Sequence, residues 1–228
     1  MVQARMSSER MPGKVMADLF GTPMLGHLID RLEQCDCIDG LIVATSDYPS
    51  DDQIADYTAS RGVASFRGDI DDVASRMIGA ADEMKADALV RISGDSPMLD
   101  PELVTAAVEV FRRHSFDIVT NVQRRTFPKG QSVEVVSLSV LKSAWLKGMN
   151  AGEREHVTKY FYEHPSAYLI HNMTYEPACG DIQLSVDTHE DFNRMKALLC
   201  RMGEPYSCHR LAEILRVLEI MPKAQCDA

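Results

Sequence analysis

The sequence predicts an α/β protein with a mostly parallel central sheet and helices on both faces. Three observations lead there. Short apolar runs alternate with amphipathic stretches through residues 22–120, the rhythm of successive βα units. The run Leu41-Ile42-Val43-Ala44-Thr45 is almost wholly apolar, as expected of a strand covered on both faces. Polar motifs then recur just after predicted strands, where open α/β sheets bind their ligands.

Each element has its own signal. Thr22 and Pro23 read as N-cap and first turn of a helix whose apolar face is Met24, Leu25, Leu28, Ile29 and Leu32. Ser50 and Gln53 have capping-box spacing, and the helix they open closes near Arg61-Gly62. Val63-Ala64-Ser65-Phe66-Arg67 is the next strand, and Asp71 or Asp72 starts a helix running to about Lys85. Ala88-Leu89-Val90-Arg91-Ile92 is a strand, Asp100 caps a helix with Pro101 at its first position, and Phe116-Asp117-Ile118-Val119-Thr120 is a strand again.

The rhythm changes after Asn121. Residues 122–132 read as a polar loop, with strands expected at Val133 to Leu138, Tyr168 to Met173 and Ile182 to Val186. Helices are expected near Val140 to Lys147 and Glu153 to His164, from the Thr188 N-cap to about Met202, and from His209 to Glu219. No repeat or long linker divides the chain, so a single domain over residues 1–228 is expected, with an excursion at about 122–180.

Composition narrows the function. A formal charge of -10 argues against a nucleic-acid binder. No apolar run reaches the roughly 18 residues of a membrane helix, and the start has no signal-peptide pattern. Cys35, Cys37, Cys179, Cys200, Cys208 and Cys226 show neither a disulfide framework nor zinc spacing, so reduced thiols in a cytoplasm are expected. Against the acidic background, Arg5, Arg10 and Lys14 put three cations within ten residues, beside Ser7, Ser8 and the Pro12-Gly13 corner. Fixed cations, hydroxyls and backbone N–H groups at a strand end suit a phosphate-rich ligand, although the same residues would serve as a solvated surface loop. Neither a Walker P-loop nor G-x-G-x-x-G is present.

The stretch Gln3-Ala4-Arg5-Met6-Ser7-Ser8-Glu9-Arg10-Met11-Pro12-Gly13-Lys14 resembles the Q-A-R-x-x-S-x-R-x-P-G-K opening of the cytidylyltransferases that make CMP-activated acidic sugars. Within that family the resemblance points to the branch named for a spore-coat polysaccharide biosynthesis protein. Gly94-Asp95-Ser96-Pro97-Met98-Leu99-Asp100-Pro101 resembles the family's G-D-x-P-x-x-D-P, and Val186-Asp187-Thr188-His189-Glu190-Asp191 its V-D-T-P-E-D. Arg154-Glu155-His156-Val157-Thr158 matches R-E-H-V-T. Phe127-Pro128-Lys129-Gly130-Gln131-Ser132-Val133-Glu134 is similar to F-P-x-G-x-D-V-E, with Ser132 in place of the Asp. The resemblance runs from residue 2 to about residue 200.

The resemblance implies the nucleotide-diphospho-sugar transferase fold and transfer of CMP from CTP to an acidic sugar, with Mg²⁺ as cofactor. It assigns Arg5, Arg10, Lys14 and Asp95 to catalysis. Gln3, Ala4, Ser7, Ser8, Gly13, Thr45, Arg67 and Gly94 join Arg5, Arg10 and Lys14 as nucleotide-binding candidates. Asp95 and Asp187 are the implied metal ligands, each with the alternative of being a simple turn residue. Gly130, Ser132, Glu134, Arg154, Glu155 and His156 are the acceptor candidates, and the excursion is a candidate homodimer surface. The acids Asp69, Asp71 and Asp72 are read as helix-start caps.

A glycosyltransferase of related fold is the competing reading, and it predicts a D-x-D that neither Asp95 nor Asp187 supplies. A non-catalytic nucleotide-binding protein is another, and it has no need of both aspartates. Only Met1 and Val2 precede the Gln-Ala-Arg motif where the family has several apolar residues, so a longer coded start is expected.

Overall fold

The computed structural model describes residues 1–220. The strands are β1 (Val2–Gln3), β2 (Asp18–Leu19), β3 (Thr22–Pro23), β4 (Ile42–Ser46), β5 (Ala64–Gly68), β6 (Ala88–Ser93), β7 (Ile118–Thr120), β8 (Glu134–Ser137) and β9 (Ile170–Asn172). The helices are α1 (Met24–Leu32), α2 (Asp52–Ser60), α3 (Val73–Glu83), α4 (Pro101–Arg113), α5 (Leu138–Gly148), α6 (Ala151–His156), α7 (Lys159–Glu163), α8 (His189–Met202) and α9 (Leu211–Ile220). A seven-stranded sheet runs β5-β4-β1-β6-β8-β7-β9, and β2 and β3 form a separate small ribbon. All pairings in the large sheet are parallel except the two made by β8.

Side-chain alternation explains why the sheet is covered on both faces. Val43 packs into one hydrophobic cluster while its neighbours Ile42 and Ala44 pack into the other. Val135 and Val136, and Val119 and Ile118, divide in the same way. With a period of two, an uninterrupted apolar run can serve only a sheet with a core on each side. One layer draws on α1, α4, α8 and α9, the other on α3, α5 and α7.

The chain leaves β1 for β4 and β5, then returns to lay β6 on the other flank of β1. That reversal is a topological switch point, and the crevice there is bounded by the segments leaving the carboxyl ends of β1 and β6. At the opposite edge, a mostly apolar cleft of about 550 Å³ opens beside Met1, Leu41, Ile42, Leu89 and Val90. The Met1 amine is buried there, donates to the Val90 carbonyl, and is pushed by burial down to a pKa of about 5.

Several expected elements differ in detail. Thr22 and Pro23 form β3 rather than a helix start; Pro23 precedes α1 with no side-chain cap. Ser50 and Gln53 make no capping box, because Pro49–Asp51 is a 3-10 turn and the Asp51 carboxylate points inward. The expected helix from Glu153 to His164 breaks at Val157, whose φ of 53° separates α6 from α7. Ile182 to Val186 is not a strand; it runs extended along Lys129, with one bridge between Lys129 and Gln183. The predicted caps Asp72, Asp100 and Thr188 all accept from the first turns of their helices. Cys226 lies outside the described residues.

Candidate active site

The site starts from the close contact of β1 and β6. Gly94 donates its N–H to the Gln3 carbonyl at 2.8 Å, and a Cβ at Gly94 would stand 3.0 Å from both that oxygen and the Ala4 Cβ. Only glycine lets the two strand ends approach this closely. Asp95 therefore emerges directly beside the loop after β1. Asp95 also accepts from the Val186 N–H through its backbone carbonyl, which draws the segment before α8 onto the same edge. Asp187 arrives there without a strand behind it. Its position is held by Asp191, whose carboxylate accepts from the N–H groups of Asp187 and Thr188 and from the Thr188 hydroxyl.

Lys14 ties these pieces together. Its Nζ lies 2.9 Å from Asp95 Oδ2, 3.0 Å from Asp187 Oδ1 and 2.8 Å from the Val186 carbonyl oxygen. Its side chain is only 11% exposed, so these contacts fix the ammonium. Arg10 reaches the same Asp187 oxygen at 2.9 Å from a largely exposed position. Arg5 lies 3.6 Å from Glu155 across the mouth. The cleft so formed has a volume of about 350 Å³; its walls are residues 3–10, Lys14, Val15, Ser93, Gly94, Asp95 and Glu155, with Met6 excepted.

The predicted nucleotide-binding residues divide into lining and support. Gln3, Ala4, Arg5, Ser7, Ser8, Arg10, Lys14 and Gly94 line the cleft. Gly13, at φ 74°, forms the corner that turns Lys14 inward. Thr45 and Arg67 stand behind it. Thr45 donates to Asp51, and Arg67 donates to the Ser46 and Tyr48 carbonyls and pairs with Asp52.

Among the acceptor candidates, Glu155 faces the cleft and His156 is exposed, but Arg154 turns away to Asp72 and lies over the Trp145 ring. Glu134 is 2% exposed and pairs with Arg91, which also donates to the Gln3 side chain. The Tyr162 hydroxyl donates to Glu134, and burial and that carboxylate push the phenol well above its ordinary range. Glu134 is thus a buried link between β1, β6, β8 and α7. Gly130, at φ 91°, packs its backbone against Leu184 and Ser185, where a Cβ would come within 2.5 Å of main-chain atoms. Ser132 accepts from Arg125.

The main residue that sequence reasoning missed is Asp51. Its fully buried carboxylate accepts from the Met6 N–H at 2.8 Å, the Ser46 N–H at 3.0 Å and the hydroxyls of Thr45 and Ser46. Burial alone would raise its pKa, but these donors outweigh it and hold the group below the usual carboxylate range. The hidden signal was Thr45-Ser46 at a strand end with an acid five residues on. Arg76 is a second such residue: fully buried, it donates to the Asp69 and Ile70 carbonyls through Nη1.

A phosphate-suited cleft at the switch point of a mostly parallel sheet is the hallmark of a nucleotide-using α/β protein. The family model described as cytidylyltransferase matches residues 1–220, and the chain belongs to that family. It is 30% identical to the spore coat polysaccharide biosynthesis protein SpsF of Bacillus subtilis over 89% of this chain and 86% of that one. Its fold superposes on a cytidylyltransferase from Leptospira borgpetersenii with a TM-score of 0.90 and 27% identity, covering 96% of this chain and 92% of the other. The fold is also that of a CMP:2-keto-3-deoxy-manno-octonic acid synthetase complexed with CTP (TM-score 0.69, 17% identity, 89% and 98% covered).

Proposed function

We propose that this protein transfers CMP from CTP to a sugar acid and releases pyrophosphate, supplying a CMP-sugar for surface polysaccharide synthesis in the cytoplasm. The observation that carries the reading is the convergence of Lys14, Arg10, Asp95 and Asp187 at the switch point. A site with paired cations and paired carboxylates at one point suits a metal-bound triphosphate better than it suits a neutral ligand. CTP as donor is supported by family membership and by the CTP-bound structural neighbour.

In this reading the acceptor hydroxyl oxygen attacks the α-phosphorus in line. The new P–O bond forms as the bond to the bridging oxygen of the β-phosphate breaks, pyrophosphate leaves with that oxygen, and the hydroxyl proton passes to solvent. Arg5, Arg10 and Lys14 hold phosphate oxygens, and the Ser7 and Ser8 hydroxyls line the same wall. Fixed positive groups that face developing charge need no reorganisation during the step.

Asp95 and Asp187 would hold a divalent cation at the point where their oxygens converge, and the Lys14 ammonium that now lies within 3.0 Å of both would turn from them to a phosphate oxygen as the ion takes its place. Two carboxylates, completed by water and phosphate oxygens, match what Mg²⁺ prefers. Bound there, Mg²⁺ would neutralise phosphate charge.

The test is pyrophosphate release from CTP with a panel of sugar acids, run beside nucleotide release from CMP-, UDP- and GDP-sugars. Release of pyrophosphate only with CTP and an acid is expected. Nucleotide release from a nucleotide-sugar would instead support the glycosyltransferase reading.

A further inference from the structure

The Lys14 ammonium is saturated from within the protein. It has three N–H bonds and no acceptor. Three oxygens surround Nζ: Val186 O at 2.8 Å, Asp95 Oδ2 at 2.9 Å and Asp187 Oδ1 at 3.0 Å. All three N–H bonds are spent on them, and none is left for a phosphate. Arg10 is tied at the same point, with a terminal nitrogen 2.9 Å from the same Asp187 oxygen. The cations that suit a triphosphate and the carboxylates that suit a metal are thus paired with one another.

The oxygens are the fixed half of this arrangement. Val186 N–H donates to the Asp95 carbonyl, and Asp191 accepts from the Asp187 and Thr188 N–H groups. The second oxygen of each carboxylate has a neutral donor. The Ser96 hydroxyl lies 3.3 Å from Asp95 Oδ1, and the Gln183 amide lies 3.4 Å from Asp187 Oδ2. Lys14 is the adjustable half, a compact charge on a flexible four-carbon stem. Its three partners, two carboxylates and a carbonyl, are hard oxygens of the kind that Mg²⁺ and Mn²⁺ take.

One set of charges therefore serves two ligands. A divalent cation entering alone has to displace the ammonium and then stand beside Lys14 and Arg10. A triphosphate entering alone has to draw Lys14 from two carboxylates, which are left facing each other and the phosphates. When both enter, the carboxylates pass to the metal and the cations to the phosphates, so no charge is stranded.

We propose that Lys14 is a placeholder for the metal ion, and that this makes CTP and the divalent cation bind as a coupled pair. This rests on the proposed function, in which both ligands meet at this cleft. The coupling is reciprocal: whatever factor CTP adds to metal affinity, the metal adds to CTP affinity.

The experiment compares the wild type with Lys14→Met, and reads binding rather than turnover. Free Mn²⁺ is measured by EPR with protein alone. CTP affinity is measured by calorimetry, once with EDTA and once with Mg²⁺. The affinity of the ion for free CTP is the same for both proteins and cancels from the comparison. Lys14→Met should bind Mn²⁺ alone at least about 10-fold more tightly than the wild type, because no charge-assisted pair has to be broken first. Adding Asp95→Asn to Lys14→Met should remove that gain. CTP affinity should fall about 10- to 100-fold in Lys14→Met with Mg²⁺ and much less with EDTA. Mn²⁺ should raise the Tm of Lys14→Met more than that of the wild type. Lys14→Gln, which keeps a donor and drops the charge, should behave as Lys14→Met and replaces it if the Met variant does not fold.

Mn²⁺ binding no tighter in the variants than in the wild type overturns the proposal. An equal loss of CTP affinity with EDTA and with Mg²⁺ also overturns it, and leaves Lys14 as a phosphate contact within the proposed function. A wild type that binds CTP under neither condition contradicts the proposed function itself, and the coupling falls with it.

Discussion

Lys14 Nζ and Asp95 Oδ2 are 2.9 Å apart although 81 residues separate them in the chain. The same ammonium lies 3.0 Å from Asp187, so one cation holds two carboxylates that would otherwise repel. Removing either the carboxylates or the cation should therefore have distinct effects.

Asp95→Asn and Asp187→Asn should each lower turnover by at least ~10²-fold, the cost of losing one preorganised electrostatic group. EDTA should abolish activity and added Mg²⁺ restore it. Asp100→Asn is the comparison, but it is not a silent one. Its carboxylate accepts from both the Glu102 and the Leu211 N–H groups, and Asn can accept with only one oxygen. We expect Asp100→Asn to lose about 1–3 kcal/mol of stability while kcat is kept. If all three variants lose turnover equally, the metal role of Asp95 and Asp187 is wrong.

Lys14→Met keeps the length of the side chain and removes its charge. CTP affinity should weaken by about 10- to 100-fold, as for loss of a charge-assisted phosphate contact. Calorimetry with CTP checks this, and unchanged affinity would mean that Lys14 only braces the aspartates.

Asp51→Asn should destabilise the fold by about 1–3 kcal/mol, the scale of leaving buried donors unsatisfied, because an amide oxygen cannot accept from all four donors. The pH dependence has a definite sign. The folded carboxyl is depressed relative to its unfolded value, so its contribution is complete above about pH 4 and disappears as the pH falls through the folded pKa. Urea titrations at neutral pH and near pH 3 should show a smaller acid loss in Asp51→Asn than in the wild type. An equal loss in both would remove Asp51 from the account.

Gly94→Ala should cost about 1–3 kcal/mol and reduce turnover, because the added methyl drives β1 and β6 apart at the cleft. Thermal unfolding and CTP turnover measured on one preparation check both effects. An Ala variant with wild-type kcat would show that this spacing is not critical.

Much of this structure was legible from local chemistry. The apolar run of β4, the Asp-Pro start of α4 and the Thr188 cap of α8 are signals written in adjacent residues. The cationic loop and the two aspartates were also legible, because family resemblance names them. What was not legible depends on contacts distant in sequence. Thr22-Pro23 looks like a helix start but pairs with Asp18–Leu19, and the apolar segment before Asp187 looks like a strand but runs beside Lys129. Nothing local reports that Val157 takes a positive φ, or that the Asp51 carboxylate turns inward to hold Met6. Arg154 matched its motif, yet its guanidinium went to Asp72, a partner 82 residues away.

The most direct measurement of the central claim is ³¹P NMR of the purified protein with CTP, Mg²⁺ and 2-keto-3-deoxy-manno-octonic acid or another sugar acid. We predict that the three CTP resonances are replaced by one phosphodiester signal and by pyrophosphate in equal amounts, with no reaction from UTP or GTP. Persistence of intact CTP with every acid, or equal use of UTP and GTP, would contradict the account.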